Sequence, residues 1–182
     1  MMNEQSTVNA VVINVIFGVI WHYAMMFLCM GMNPSAFSPD RKIYLPHKWE
    51  RDGKFYQDFL KINQWKDYLP QHVGKDGFSK DHIDDISIEY IDRFILETCR
   101  GEWNHKMNCV FVIVLFTLNG VTHVSVVLSC MTLVGNVPFF IIQRYNRFRL
   151  QRLKKTILRR LKRQNKMLVC TTAENESESV TE

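Results

Sequence analysis

Apolar and charged positions occupy separate stretches of this chain. Thr7 to Met32 and Met107 to Ile142 contain no Lys, Arg, Asp or Glu. The first stretch is apolar over about 20 residues, enough for a helix to cross roughly 30 Å of hydrocarbon. It lacks a preceding Lys or Arg and an A-x-A-like cleavage site, so it reads as a retained span and not as a signal peptide. The second stretch is too long for one crossing, and Asn119-Gly120 near its middle is a turn signal. It predicts a helical hairpin. The first arm has only about a dozen apolar residues, so its helix must begin upstream of Met107. The expected architecture is an all-α integral membrane protein with three spans, at 7–30, 103–118 and 121–142.

The segment between the apolar stretches, 31–85, mixes charge with aromatics. Prolines 34, 39, 46 and 70 and glycines 53, 74 and 77 argue against long helices there, although Gly53 to Trp65 fits one amphipathic helix. Trp49, Phe55, Tyr56, Phe59, Trp65 and Tyr68 suit a membrane–water interface, so the segment is expected to lie on the bilayer. A small subdomain with an aromatic core is the alternative. A polar helix over 86–106 should then run directly into the short apolar arm.

Charge sets the orientation. Met1 to Ser6 holds no basic residue, Asn33 to Lys106 holds 12 and the chain after Ile142 holds 11. The positive-inside rule places the central segment and the C-terminus in the cytoplasm, and the N-terminus and the Asn119-Gly120 turn outside the plasma membrane. The basic stretch 144–166 has Leu and Ile at helical spacing. It predicts a helix on the anionic leaflet, drawn by about 1 kcal/mol per basic residue. No nucleic-acid fold surrounds it, which disfavours a nucleic-acid partner. The tail 167–182 is acidic and poor in apolar residues, and is expected to be disordered.

Candidate chemistry clusters on the polar helix. Glu102 and His105, three apart, can hydrogen-bond, fixing the imidazole tautomer and raising its basicity. Glu97 and Arg100, also three apart, can pair, or Arg100 can hold an anionic group. Ionisable groups at membrane depth are costly and point to function, although a solvated helix surface with ordinary charge pairs gives the same spacing. In the last span Ser125, Ser129, Thr132, Asn136 and Gln143 share a face, and the small residues among them read as helix–helix contacts.

Other chemistries find less support. His47 and Asp52 have the H-x4-D spacing of a glycerolipid acyltransferase class, but no other motif of that class accompanies them. The five cysteines show no CxxC spacing, and no His/carboxylate cluster with zincin spacing occurs, so no metal and no cofactor is expected. G-x-S-x-G and glycine-rich phosphate loops are missing, which argues against serine hydrolases, kinases and dinucleotide enzymes.

The run Asn136-Val-Pro-Phe-Phe-Ile-Ile-Gln-Arg-Tyr-Asn-Arg-Phe-Arg-Leu150, preceded by Glu97-Thr-Cys-Arg-Gly-Glu-Trp-Asn-His105 and by Gly53-Lys-Phe-Tyr and Trp65-Lys-Asp, resembles the glycosyl-diaponeurosporenoate acyltransferases of staphylococcal-type carotenoid biosynthesis. The order of elements matches as far as about Lys166. Gly101 stands where that family pattern has a small Ala, Phe148 where it has Pro, and the acidic tail is extra.

The resemblance implies transfer of a fatty acyl group to a sugar hydroxyl of a glycosylated carotenoid, at the inner face of the plasma membrane. A fatty acyl thioester is the expected donor and a glycosylated lipid or carotenoid the acceptor. On this reading His105, oriented by Glu102, is the base, and Arg100, Gln143 or Asn146 stabilises the oxyanion. Arg144, Arg147 and Lys66 receive the anionic carrier of the donor, with Trp65 and Asn136 also lining the substrate site. Two other functions fit the pattern: a membrane adaptor that binds anionic lipid and a partner protein, and an oligomeric transporter lined by Asn14, His22 and His123.

Overall fold

The computed structural model describes residues 4–69 and 87–179. Five α-helices form: α1 Glu4–Gly31, α2 Lys54–Asp58, α3 Ile62–Trp65, α4 Ile88–Asn119 and α5 His123–Ser179. No strand occurs among the described residues. The expected interfacial stretch from Pro70 to Asp85, with Gly74 and Gly77, lies outside them.

Two helices are long and apolar enough to cross a membrane, within Ser6–Gly31 and His123–Met167. The expected crossing at 103–118 falls in the C-terminal half of α4, which is not one of these two, and the charged first half runs into it without a break. Ser87 starts α4 by accepting a hydrogen bond from the Tyr90 N–H. Gly120 ends it at φ 64°, a left-handed turn that glycine adopts without strain.

α1 and α5 both run antiparallel to α4. Asn14 and Asn119 exchange two amide hydrogen bonds of 2.9 Å, the Trp21 indole donates to the Met107 carbonyl, and the Cys29 thiol faces the Arg100 carbonyl. The start of α1 therefore meets the Asn119-Gly120 turn, and its end meets the charged half of α4. Gly18 makes this approach possible, since a Cβ there would stand 3.2 Å from the Phe111 ring.

The sequence separates a last span from a basic helix, but α5 is continuous through Pro138. Proline removes one backbone donor, a loss a helix tolerates where neighbours resatisfy the freed carbonyl. α5 also continues into the acidic stretch expected to be disordered, as far as Ser179.

Residues 34–69 form a cap of short turns over one end of the hairpin. The single helix expected over Gly53 to Trp65 is broken in two. Lys61 adopts a left-handed φ of 49°, which stops α2 and restarts the chain as α3. The cap's aromatics divide. Tyr56 and Ile62 are buried against Ile142, Tyr145 and Phe148 of α5, giving the aromatic core weighed as the alternative. Trp49, Phe59 and Tyr68 stay exposed. Phe148 uses the space left by Gly53, where a Cβ would come within 3.0 Å of its own.

Candidate active site

Two polar clusters sit one helical turn apart on α4. The first is ionic. Glu102 is fully buried, and its Oε1 meets Lys106 Nζ at 2.5 Å and Arg144 Nη1 at 3.1 Å, while Oε2 meets Arg147 Nη1 at 2.5 Å. Arg144 also grips Glu50 from the cap through Nε and Nη2, and donates to the Leu45 carbonyl at 2.8 Å. Arg147 donates to the Tyr44 carbonyl and lies over the Tyr44 ring. Both arginines are at most 3 % exposed. The cluster ties α4, α5 and the cap together.

Glu50 escapes sequence reasoning. It lies inside the His47–Asp52 spacing, yet it is the buried residue of that motif. Its carboxylate accepts from the His47 backbone N–H, from the Tyr56 hydroxyl and from Arg144. Burial alone would push the Glu50 carboxyl up, but these donors outweigh it and hold the group below the ordinary carboxylate range. Burial and the Glu50 charge both push the Tyr56 hydroxyl up, so it stays a donor. His47 is exposed and stacks on Trp49, and Asp52 is exposed with a left-handed φ of 54°, its carbonyl taken by Arg152.

The second cluster is neutral. His105 Nδ1 lies 3.1 Å from Asn136 Oδ1 and stacks on Phe139. Asn136 donates through Nδ2 to the Thr132 carbonyl at 2.9 Å, and a carbonyl can only accept. That bond turns Oδ1 toward His105, makes Nδ1 the donor and leaves Nε2 with a free lone pair. Across the interface with α1, Asn108 Nδ2 donates to Nδ1 of His22 at 3.1 Å, which leaves the proton of neutral His22 on Nε2. Asn108 is 3 % exposed, and its Oδ1 has no hydrogen-bond partner.

A cavity of about 400 Å³ opens here, lined by His22, Asn108, Phe111, Thr132 and Asn136 among others. A second hollow of about 420 Å³ lies between cap and α5, walled by Trp65, Tyr68, Leu69, Pro138 and Ile141.

Several site expectations change. Glu102 does not orient His105. The two share α4, but α5 brings two guanidiniums to the carboxylate and an amide to the imidazole, and each group takes the partner that best matches its charge. Arg144 and Arg147 are buried and neutralised by Glu50 and Glu102, so they do not present charge to an anionic carrier. Lys66 is buried beside Asp67, its ion-pair partner at 2.6 Å. Glu97 and Arg100 pair with each other at 2.7 Å, and Arg100 also covers the Phe37 ring. Gln143 lies against Gly101, where a Cβ would be 2.8 Å from its Cδ, so the glycine at this position makes room for the amide. Asn146 is half-buried and forms no hydrogen bond among the described residues. His105 and Asn136, expected in one site, do meet.

A family model described as glycosyl-4,4'-diaponeurosporenoate acyltransferase matches residues 40–156. The chain belongs to this family. The match spans Glu50, Glu102, His105, Asn136 and Arg144, and leaves His22 outside. Relatives of that name from Staphylococcus aureus include one from strain MRSA252, 30 % identical over 120 residues, which are 65 % of this chain and 72 % of the relative. Those from strains USA300 and NCTC 8325 are 28 % identical over the same shares. No solved structure matches the chain. Family membership makes the chain an acyltransferase, which decides against the adaptor and transporter readings.

Proposed function

We propose that this acyltransferase is embedded in the plasma membrane and moves a fatty acyl group from a thioester donor to a sugar hydroxyl of a glycosylated diaponeurosporenoate. The family supplies the acceptor class, since its relatives carry that name. Within the chain, the observation that carries the reading is the His105–Asn136 pair, of which Asn136 lines the cavity. An imidazole whose Nδ1–H is held by an amide has Nε2 free as a base, the arrangement general base catalysis needs.

His105 Nε2 takes the proton of the sugar hydroxyl as its oxygen attacks the acyl carbonyl. The resulting oxyanion is stabilised by donors facing the cavity, and the Nε2–H of His22 is suited to that role. Collapse of the intermediate breaks the carbon–sulfur bond, and the proton on His105 passes to the departing thiolate. No covalent enzyme intermediate is required. The apolar hollow beside Trp65 and Tyr68 is suited to an alkyl chain, and the basic residues that flank the apolar stretches support a site toward the cytoplasmic side of the bilayer.

The test is direct. The purified chain in lipid nanodiscs is given isotopically labelled fatty acyl thioesters and a panel of glycolipids that includes a glycosylated carotenoid acid. Mass spectrometry should find a new ester on the sugar of the carotenoid glycoside. If folded protein forms no ester on any acceptor, the reading fails.

A further inference from the structure

Beyond the candidate site, the strongest unassigned feature is the basic half of α5. Arg149, Arg152, Lys155, Arg159, Arg163 and Lys166 are all exposed, and their spacings of three and four put them on one side of the helix. Lys154 faces elsewhere and is neutralised by Asp92 of α4 at 2.5 Å. Leu150, Leu153 and Ile157 form the more buried side.

The sequence pattern suggests a helix lying on the anionic leaflet, and the fold argues otherwise. α5 does not break after the apolar run, and α4 accompanies it as far as the Asp92–Lys154 pair. The cap covers it up to Arg152, which donates to the Asp52 carbonyl at 2.7 Å. Arg159 to Lys166 therefore begin 17 residues beyond Ile142, about 25 Å along the axis at about 1.5 Å per residue. That distance is about three Debye lengths at physiological salt, so attraction to the leaflet is largely screened. The part of the stripe from Arg159 to Lys166, held off the bilayer on the proposed embedding, is matched to an anionic partner in solution.

We propose that this stripe docks a soluble acidic acyl-carrier protein that delivers the thioester, a proposal that rests on the acyltransferase reading. Charge complementarity names the partner's surface, and the reaction names its cargo.

The experiment uses the full chain in zwitterionic nanodiscs, with palmitoyl-loaded acyl-carrier protein as the probe, beside a Lys155→Gln/Arg159→Gln/Arg163→Gln variant. Binding to the parent should weaken steeply with salt, and the variant should bind at least tenfold more weakly with an unchanged melting temperature. Ester formation from the carrier should fall in parallel, while formation from the neutral palmitoyl-N-acetylcysteamine thioester stays the same. Equal carrier binding by parent and variant overturns the proposal. So does binding to phosphatidylglycerol vesicles through these residues with none to the carrier. Ester from neither donor, with carrier binding intact, overturns the acyltransferase reading and leaves the docking surface standing.

Discussion

The ionic cluster and the neutral cluster occupy neighbouring turns of α4, yet they solve opposite problems. Glu50 and Glu102 are buried against the buried Arg144 and Arg147, with the partly exposed Lys106 as a further cation on Glu102. In the second cluster His105 meets Asn136, a cavity is bordered by His22, Asn108 and Asn136, and a buried amide oxygen of Asn108 is left unpaired. The charges of the ionic network face one another, and its value is in fixing the geometry of three elements. A half-satisfied neutral cluster costs stability, and such a cost is typically found where a ligand supplies the missing partner. Glu102, Arg144 and Arg147, all candidates for chemistry in the sequence, thus hold the fold together, and the proposed chemistry falls to His105.

Breaking the ionic side should have the largest effect. Arg144→Ala leaves the buried Glu50 without its cation and takes one of three cations from Glu102, and removal of one partner of a buried ion pair typically costs about 3–5 kcal/mol. The variant should lose cooperative thermal unfolding in detergent, and activity with it. On the neutral side, Asn136→Leu removes the group that holds the His105 tautomer. A lost hydrogen bond of about 1–1.5 kcal/mol predicts turnover lower by roughly tenfold with little change in melting temperature.

Acid separates the clusters further. The Glu50 carboxyl is depressed in the folded protein, so its contribution to stability is fully present above its ordinary value near 4.5 and is lost as pH falls through the lower folded value. Melting temperature should hold down to about pH 5 and drop below it, and Glu50→Gln should start lower and flatten that drop. The smallest effect belongs to the exposed Glu97–Arg100 pair. Glu97→Gln should change stability by less than about 0.5 kcal/mol in denaturant titrations, since i,i+3 surface pairs contribute little.

Much of this frame is legible in the sequence. The charge-free stretches mark α1 and the hairpin, Asn119-Gly120 marks the turn, and the shortness of the apolar arm requires α4 to begin in polar sequence. The Asn136 to Leu150 run points to the family. Spacing along one helix shows which residues share a face, but not what the neighbouring helix brings to it. Glu102 and His105 therefore look like partners until α5 supplies Arg144, Arg147 and Asn136. Glu50 is invisible for the same reason, because its partner lies 94 positions away. The broken cap helix turns on the left-handed backbone at Lys61, a conformation that no residue pattern there announces.

The central claim is that chemistry resides with His105 and not with the ionic cluster beside it. The measurement that tests it most directly is ester formation by His105→Gln in nanodiscs, with melting temperature recorded on the same sample. The account predicts parent-like unfolding with turnover reduced about 10²- to 10⁴-fold, the usual contribution of a positioned base. A variant that folds normally and turns over at the parent rate would contradict it.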